Sequence, residues 1–315
     1  MSRVLIIPPN RLSDLVLSSI GFYPLQCAHP EIAFSLLVAE DLAPVMSSHP
    51  CFEAIINFST GKSAQGVSKT LREKEFDTAV YLESCPVLEP IVVGASIENI
   101  IKGVALGEIP HRAEGYLRTL DQLGKPLLRS FEPWLPFDAE NSVPQSYFPQ
   151  LPNNYVCLNL QADRETHCWS TKAFIELTEK ILQKGYPIVV LGKGARDKKQ
   201  LAFMAHFQDS ALIDMTGLTI GSALISVIAG GLAIVSGYSG YASLGAALGI
   251  PTVTLIGSSG QDYGSHWWAP LGAQAITLTK KISRPWWRSE ARQAKKNLNA
   301  IQPDEVLKLL QRWIG

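Results

Sequence analysis

Apolar positions fall into two rhythms along the chain. Short runs rich in β-branched and aliphatic residues, at 4–7, 32–38, 54–58 and 78–82, alternate with longer stretches of helical character such as 14–28. Strands spaced by helix-length connections predict βαβ units and a parallel sheet. Between Phe131 and Asn154 the rhythm stops, and Glu-Pro, Leu-Pro, Val-Pro, Phe-Pro and Leu-Pro follow one another without a period, which predicts a linker. The alternation then restarts, with strands expected at 155–160, 187–191, 211–214, 233–236 and 252–256 and helices at 171–184, 197–206, 219–229 and 239–248. A final helix, 303–313, follows a basic, Trp-bearing loop and opens on Gln-Pro-Asp-Glu, with proline in the first turn and acids behind it. The pattern predicts an α/β protein: one doubly wound domain over 1–130, a linker over 131–154, a second doubly wound domain over 155–300 and a terminal helix over 301–315. Ligands of such open sheets bind at the carboxyl ends of the strands, here expected in a cleft between the two domains.

Composition narrows the function classes. The 315 residues are 46% hydrophobic and only 18% charged, which describes a folded chain and excludes disorder. Lys and Arg total 28 against 28 Asp and Glu, so the positive field that holds a nucleic acid is missing and no nucleic-acid partner is expected. Five cysteines, Cys27, Cys51, Cys85, Cys157 and Cys168, stand without CxxC spacing, so reduced thiols of a cytoplasmic protein are expected, with neither a disulfide framework nor a zinc site. The first apolar run is short and broken by Pro8-Pro9, which fits a buried strand better than a leader. Residues 215–261 carry no Asp, Glu, Lys or Arg, yet Gly230-Gly231, Ser236-Gly237, Ser239-Gly240 and Gly249-Ile250-Pro251 cut them into pieces too short to cross ~30 Å of hydrocarbon.

Candidate chemistry gathers at expected strand ends. The first strand lacks the glycines of a dinucleotide fingerprint, the next glycine being Gly21, and what stands at its crossover is Ser13-Asp14: either a helix cap or, in the functional reading, a carboxylate base at Asp14. Thr60-Gly61-Lys62-Ser63 ends like a phosphate-binding loop, but the required earlier glycine is Ile56, which leaves at most a looser anion site at Lys62. Asp197, after Gly192-Lys193-Gly194, is either a helix cap or an acceptor for ribose hydroxyls. The most specific stretch runs from Ala233 to Val253: a buried strand enters a small-residue turn, Ser236-Gly237-Tyr238-Ser239-Gly240-Tyr241, and then a helix, so that unpaired amides at the helix start can meet a phosphate.

That stretch, with Met215-Thr216-Gly217-Leu218-Thr219 before it and Leu255-Ile256-Gly257-Ser258 after it, resembles the family nine glycosyltransferases, the bacterial heptosyltransferases of lipopolysaccharide core synthesis. Arg11-Leu12-Ser13-Asp14, residues 76–82, residues 164–169 and Ile301-Gln302-Pro303-Asp304-Glu305-Val306 extend the resemblance nearly end to end. It implies a GT-B fold of two facing Rossmann-like domains, the first for the acceptor and the second for the nucleotide sugar. It also implies inverting transfer of a heptose, without a metal or other cofactor, from an ADP-linked donor to an anionic glycolipid at the inner face of the cytoplasmic membrane. Residue by residue, Asp14 falls on the family base, Arg164 and Trp169 on an Arg-x-x-Lys-x-Trp pattern, and Ser239 and Gly240 on the Ser-Gly of an Asp-Ser-Gly-Pro-x-His turn. The diphosphate group of residues then comprises Arg164, His167, Thr219, Ser239, Gly240 and Tyr241, with Asp197 on the ribose and Arg11 and Lys62 on the acceptor.

The departures carry as much information. His167 stands where the family has Lys, Tyr238 where it has Asp, Tyr241 where it has Pro and Ser243 where it has His. A free imidazole, with a pKa of ~6.5, is only about a quarter protonated at pH 7, so a permanent charge becomes conditional. The losses at Tyr238 and Ser243 keep open a second reading, a non-catalytic nucleotide-sugar or glycan-binding protein. Trp267, Trp268, Trp286 and Trp287, four of the seven tryptophans, stand near Lys280, Lys281, Arg284, Arg288, Arg292, Lys295 and Lys296, a composition that suits either an anionic lipid surface or ordinary packing and solvation.

Overall fold

The apolar runs fold as parallel strands in two units. The computed structural model describes residues 2–47, 49–59, 64–104, 111–129, 132–136, 144–162, 167–194, 197–207, 211–257, 265–283 and 287–315. The chain divides into Met1–Pro136 and Phe137–Gly315.

In the first unit, β1 (Ser2–Ile7), β2 (Ile32–Ala39), β3 (Ala54–Phe58), β4 (Thr78–Tyr81) and β5 (Asn99–Lys102) stand in the order β3-β2-β1-β4-β5, all parallel. Val4, Leu5, Ile6 and Ile7 are buried without alternation, as in a strand covered on both faces. β5 gives no such pattern, because it is a four-residue edge strand with largely exposed side chains. The single helix expected over 14–28 is two, Leu12–Ser18 and Phe22–Ala28, joined by a tight turn at Ser19–Gly21. The Ser18 and Ser19 hydroxyls donate back to the carbonyls of Leu15 and Val16 at 2.7 Å, which loosens the helical ladder there. Gly21 admits Leu120: a Cβ would lie 2.5 Å from its Cδ1.

In the second unit, β6 (Val156–Asn159), β7 (Ile188–Leu191), β8 (Leu212–Asp214), β9 (Ala233–Gly237), β10 (Thr252–Ile256) and β11 (Ala275–Thr279) stand in the order β11-β10-β9-β6-β7-β8, again parallel. The uncharged stretch supplies β9 and β10 and the helices Gly221–Ala229 and Gly240–Ala247, and no helix of the described residues is long and apolar enough to cross a membrane. The segment read as a basic loop contains the helix Glu290–Asn299. Ser289 caps it by accepting from the Arg292 amide, and its buried face carries Gln293, Ala294, Asn297 and Leu298, two polar residues that hide the apolar period. Gly257 lets it dock, since a Cβ would sit 1.9 Å from the Ala294 carbonyl oxygen. The last helix ends at Leu310, short of the expected 313, and opens with a reciprocal cap between Gln302 and Glu305.

Candidate functional site

In each sheet the strand order reverses once, between β1 and β4 and between β6 and β9, and the carboxyl ends beside such a reversal are where open α/β sheets bind ligands. Polar side chains gather at both places.

In the second unit Asn159, which closes β6, and its register partner Ser236, one residue before the end of β9, are fully buried. The Asn159 amide nitrogen donates to Ser236 Oγ and Ser239 Oγ, each at 3.0 Å, and to the Gln161 carbonyl at 2.9 Å; the two serine hydroxyls are 2.8 Å apart. Ser239 has extended backbone and caps the helix Gly240–Ala247, its hydroxyl accepting from the Ala242 amide at 3.4 Å. First-turn amides have no partner within their own helix, so with Ala242 taken by the cap, those of Gly240 and Tyr241 are the pair this turn can offer an anion. Gly237 makes the turn possible: a Cβ there would lie 2.6 Å from the carbonyl oxygen of His167.

His167 is buried beside that glycine, its ring edge-on to Tyr238 at 6.2 Å, and Tyr238 in turn meets Trp268 at 6.0 Å. Tyr238 therefore fills the place with an aromatic stack rather than a charge. Tyr241 is buried too, and burial pushes its phenol up to about 12. Ser243 donates to the Ser239 carbonyl at 3.4 Å, a bond internal to the helix. Trp169 is core: it packs edge-to-face on Phe174 at 5.1 Å and donates to the Ile301 carbonyl.

A second polar string lies beyond β7 and β8. Asp197 accepts from the amides of Lys199 and Gln200 while Gln200 reaches back to the Asp197 amide, a full capping box. Gln161 joins it, donating to Gln200 at 3.1 Å and accepting from the Lys193 amide at 2.7 Å. The loops after β7 and β8 touch, the Gly217 amide donating to the Gly192 carbonyl at 2.9 Å. Thr219, two residues on, is buried, and its Oγ1 meets no hydrogen-bonding group among the described residues. The structure thus brings His167, Ser239, Gly240 and Tyr241 to one turn and sets Asp197 and Thr219 on the neighbouring loops. Arg164 and Lys62 lie outside the described residues.

In the first unit Asp14 is 1% exposed, in the first turn of the helix Leu12–Ser18, which Arg11 opens with an exposed side chain. The guanidinium of Arg112, from the helix Arg112–Leu120, lies with Nε 3.4 Å from Asp14 Oδ1 and donates to Tyr116 Oη at 2.7 Å and to Glu83 just beyond β4. Sequence reasoning found Asp14 but not Arg112, nearly a hundred residues away, and nothing local signals that meeting. Asn159 and Ser236 do carry a signal, a polar residue at or next to the end of an otherwise apolar strand.

Among the described residues no group of three or more His, Cys, Asp or Glu gathers as metal ligands do. In the basic segment, Lys280 pairs with Glu305, Lys295 donates to the Cys168 carbonyl and Arg288 donates to Gln293 at 2.9 Å. Trp287 is 70% exposed, and Arg284 and Trp286 lie outside the described residues.

Residues 128–296, more than half of the chain, match the family described as glycosyltransferase family 9 (heptosyltransferase). Lipopolysaccharide heptosyltransferase 2 of Escherichia coli strain K12 is 24% identical over 298 residues, covering 83% of this chain and 84% of its own. Two solved structures share the fold over almost the full length of both chains. The E. coli ADP-heptose lipopolysaccharide heptosyltransferase II superposes with a TM-score of 0.84 at 21% identity, covering 100% of this chain and 98% of its own. The E. coli heptosyltransferase WaaC with ADP superposes with a TM-score of 0.74 at 16% identity, covering 98% and 99%.

Proposed function

The chain belongs to glycosyltransferase family 9, the heptosyltransferase family, and from that premise we propose that it moves a heptose from an ADP-linked donor onto an anionic glycolipid of the lipopolysaccharide-core type. It is a glycosyltransferase of GT-B architecture. The observation that carries the finer proposal is the turn after β9, where a buried Asn159–Ser236–Ser239 network fixes a helix start that presents the Gly240 and Tyr241 amides. Each charge-assisted hydrogen bond from such amides is worth roughly 1.5–3 kcal/mol, against ~0.3–1 kcal/mol for the helix dipole, so the bonds dominate.

In the proposed reaction Asp14 takes the proton of an acceptor hydroxyl as its oxygen attacks the anomeric carbon from the face opposite the diphosphate. The bond to the diphosphate breaks with its electron pair on the leaving oxygen. The developing charge is met by the Gly240 and Tyr241 amides, with His167, Thr219 and Arg164 around the donor phosphates. Asp197, already engaged as a cap through one oxygen, accepts from the ribose, and Arg11 and Lys62 face the acceptor. No metal enters the scheme. The work is done in the cytoplasm at the membrane face, where exposed Trp287 with Lys281, Arg292 and Lys296 suits an anionic lipid surface.

Turnover of ADP-heptose to ADP with a truncated lipopolysaccharide acceptor tests this directly. Asp14→Asn is expected to lower the rate by about 10²–10⁴, and excess chelator to leave it unchanged; an Asp14→Asn variant at the parent rate removes Asp14 from the role of base. The stacked Tyr238 in place of an acid favours a second reading, a protein that binds the nucleotide sugar without transferring it. Calorimetric binding of ADP-heptose with no turnover on any acceptor decides for that reading.

A further inference from the structure

The buried surroundings of Asp14 pose a problem that the proposed chemistry does not solve by itself. A carboxylate removed from water is driven toward its protonated form, which cannot act as a base. We propose that Arg112 is the positioning residue for Asp14: one guanidinium, divided between Asp14, Glu83 and Tyr116, keeps the Asp14 carboxylate charged and aimed without capturing it. The proposal rests on the reading of Asp14 as the base.

The geometry supports the division. Asp14 is 1% exposed and Arg112 4%, so their attraction is poorly screened by solvent. A guanidinium that held Asp14 through two short parallel bonds would make it a weak base. Instead Nε is 3.4 Å from Asp14 Oδ1 and makes its shorter bond, 2.7 Å, to Tyr116 Oη, while an Nη donates to Glu83. Burial alone would favour the neutral guanidine, but the Tyr116 oxygen and the carboxylates of Asp14 and Glu83 outweigh it and hold Arg112 above its usual range. Burial, and after it the charge of Asp14, pushes the Tyr116 phenol far up, so it remains a neutral O–H that accepts from Arg112.

Among the described residues, Arg112 and Tyr116 from the helix Arg112–Leu120 and Glu83 from the segment after β4 are charged or titratable groups near Asp14. On that helix His111 turns Nδ1 to the Ala113 amide, and Glu114 pairs with Arg118 and Arg129; on Asp14's own helix Arg11 is exposed. Glu83 has a half-open side chain, 39% exposed, and competes with Asp14 for one cation, which makes it the adjustable member.

The test is the titration of the Asp14 carboxyl by carbon-13 NMR of the full chain labelled at aspartate, the resonance assigned by its loss in Asp14→Asn. Arg112→Met is expected to raise the midpoint by roughly 1–3 pH units, Arg112→Lys to raise it less, and Glu83→Gln to lower it by freeing Arg112 for Asp14. An Arg112 that only braces its helix, with its charge spent on Glu83 and Tyr116, would leave the midpoint unmoved in these variants. Should Arg112→Met fail to fold, the opposed shifts of Arg112→Lys and Glu83→Gln carry the test, and unmoved midpoints in both overturn the proposal. The transfer rate of Asp14→Asn separates the two ideas. Opposed midpoint shifts with Asp14→Asn at the parent rate remove the base and leave the Arg112 hold standing; unmoved midpoints with Asp14→Asn inactive overturn the hold alone.

Discussion

Asn159 ends a strand whose other residues are apolar, and its one amide group serves three acceptors, Ser236, Ser239 and the Gln161 carbonyl. Replacing it by Ala leaves buried hydroxyls short of a donor, so Asn159→Ala is expected to lose about 1–3 kcal/mol of stability in urea unfolding. Because Ser239 then loses its fixed direction, ADP affinity measured by calorimetry falls in the same variant. At His167 the question is charge. Lysine is protonated at pH 8 where an imidazole is largely neutral, so His167→Lys is expected to tighten ADP binding at pH 8, and unchanged affinity would remove His167 from the diphosphate. His49 shows a pH effect away from any site. Enclosed by Phe22, Phe52 and Trp134, it is lowered by burial to about 4. The unfolded chain, with an ordinary histidine near 6.5, binds the proton more readily, so stability present above pH 6.5 is lost as the pH falls from there through 4. The loss is on the order of 3 kcal/mol, and His49→Phe is expected to flatten that part of the stability–pH curve.

Among the elements, a continuous apolar run made a strand legible, while β5, β11 and the helix Glu290–Asn299 left no such trace. β1, β6 and β9 are buried on both faces and announce themselves by composition. β5 and β11 are edges, one exposed and one half-buried, and the helix Glu290–Asn299 buries Gln293 and Asn297 alongside Ala294 and Leu298, so no clean period survives. Close packing is also an element-scale property. Gly245, in the middle of the helix that follows the candidate turn, would carry a Cβ 2.5 Å from Ile234 Cγ2 and 2.7 Å from Thr252 Oγ1. Gly245→Val is therefore expected to cost about 1–3 kcal/mol, read as a lower unfolding midpoint, with ADP binding weakened because the helix start is displaced from β9.

At the scale of the molecule, each unit has its own sheet and its own apolar core, one around Leu5, Ile7, Leu37 and Ala79, the other around Val156, Leu158, Val190 and Val235. Every residue proposed for the donor belongs to the second unit, and the proposed base belongs to the first. The isolated fragment 137–315 is accordingly expected to fold and to bind ADP within about threefold of the full chain by calorimetry, a difference of less than 1 kcal/mol, while transferring nothing; a fragment that folds but does not bind ADP would place part of the donor site in the first unit.

The sequence by itself determined the two parallel α/β sheets, because burial on both faces demands long apolar runs and helix-length crossovers that no other fold class needs. It also marked the turn at Ser239-Gly240, because small residues between a buried strand and a helix leave a local trace. Only the tertiary structure decided which polar groups meet. Arg112 reaches Asp14, and Asn159 reaches Ser236 and Ser239 across register, through contacts between residues some eighty to a hundred apart. Such contacts depend on the order in which strands lie side by side, and a hydrophobic period carries the spacing along one element but not the identity of its neighbour.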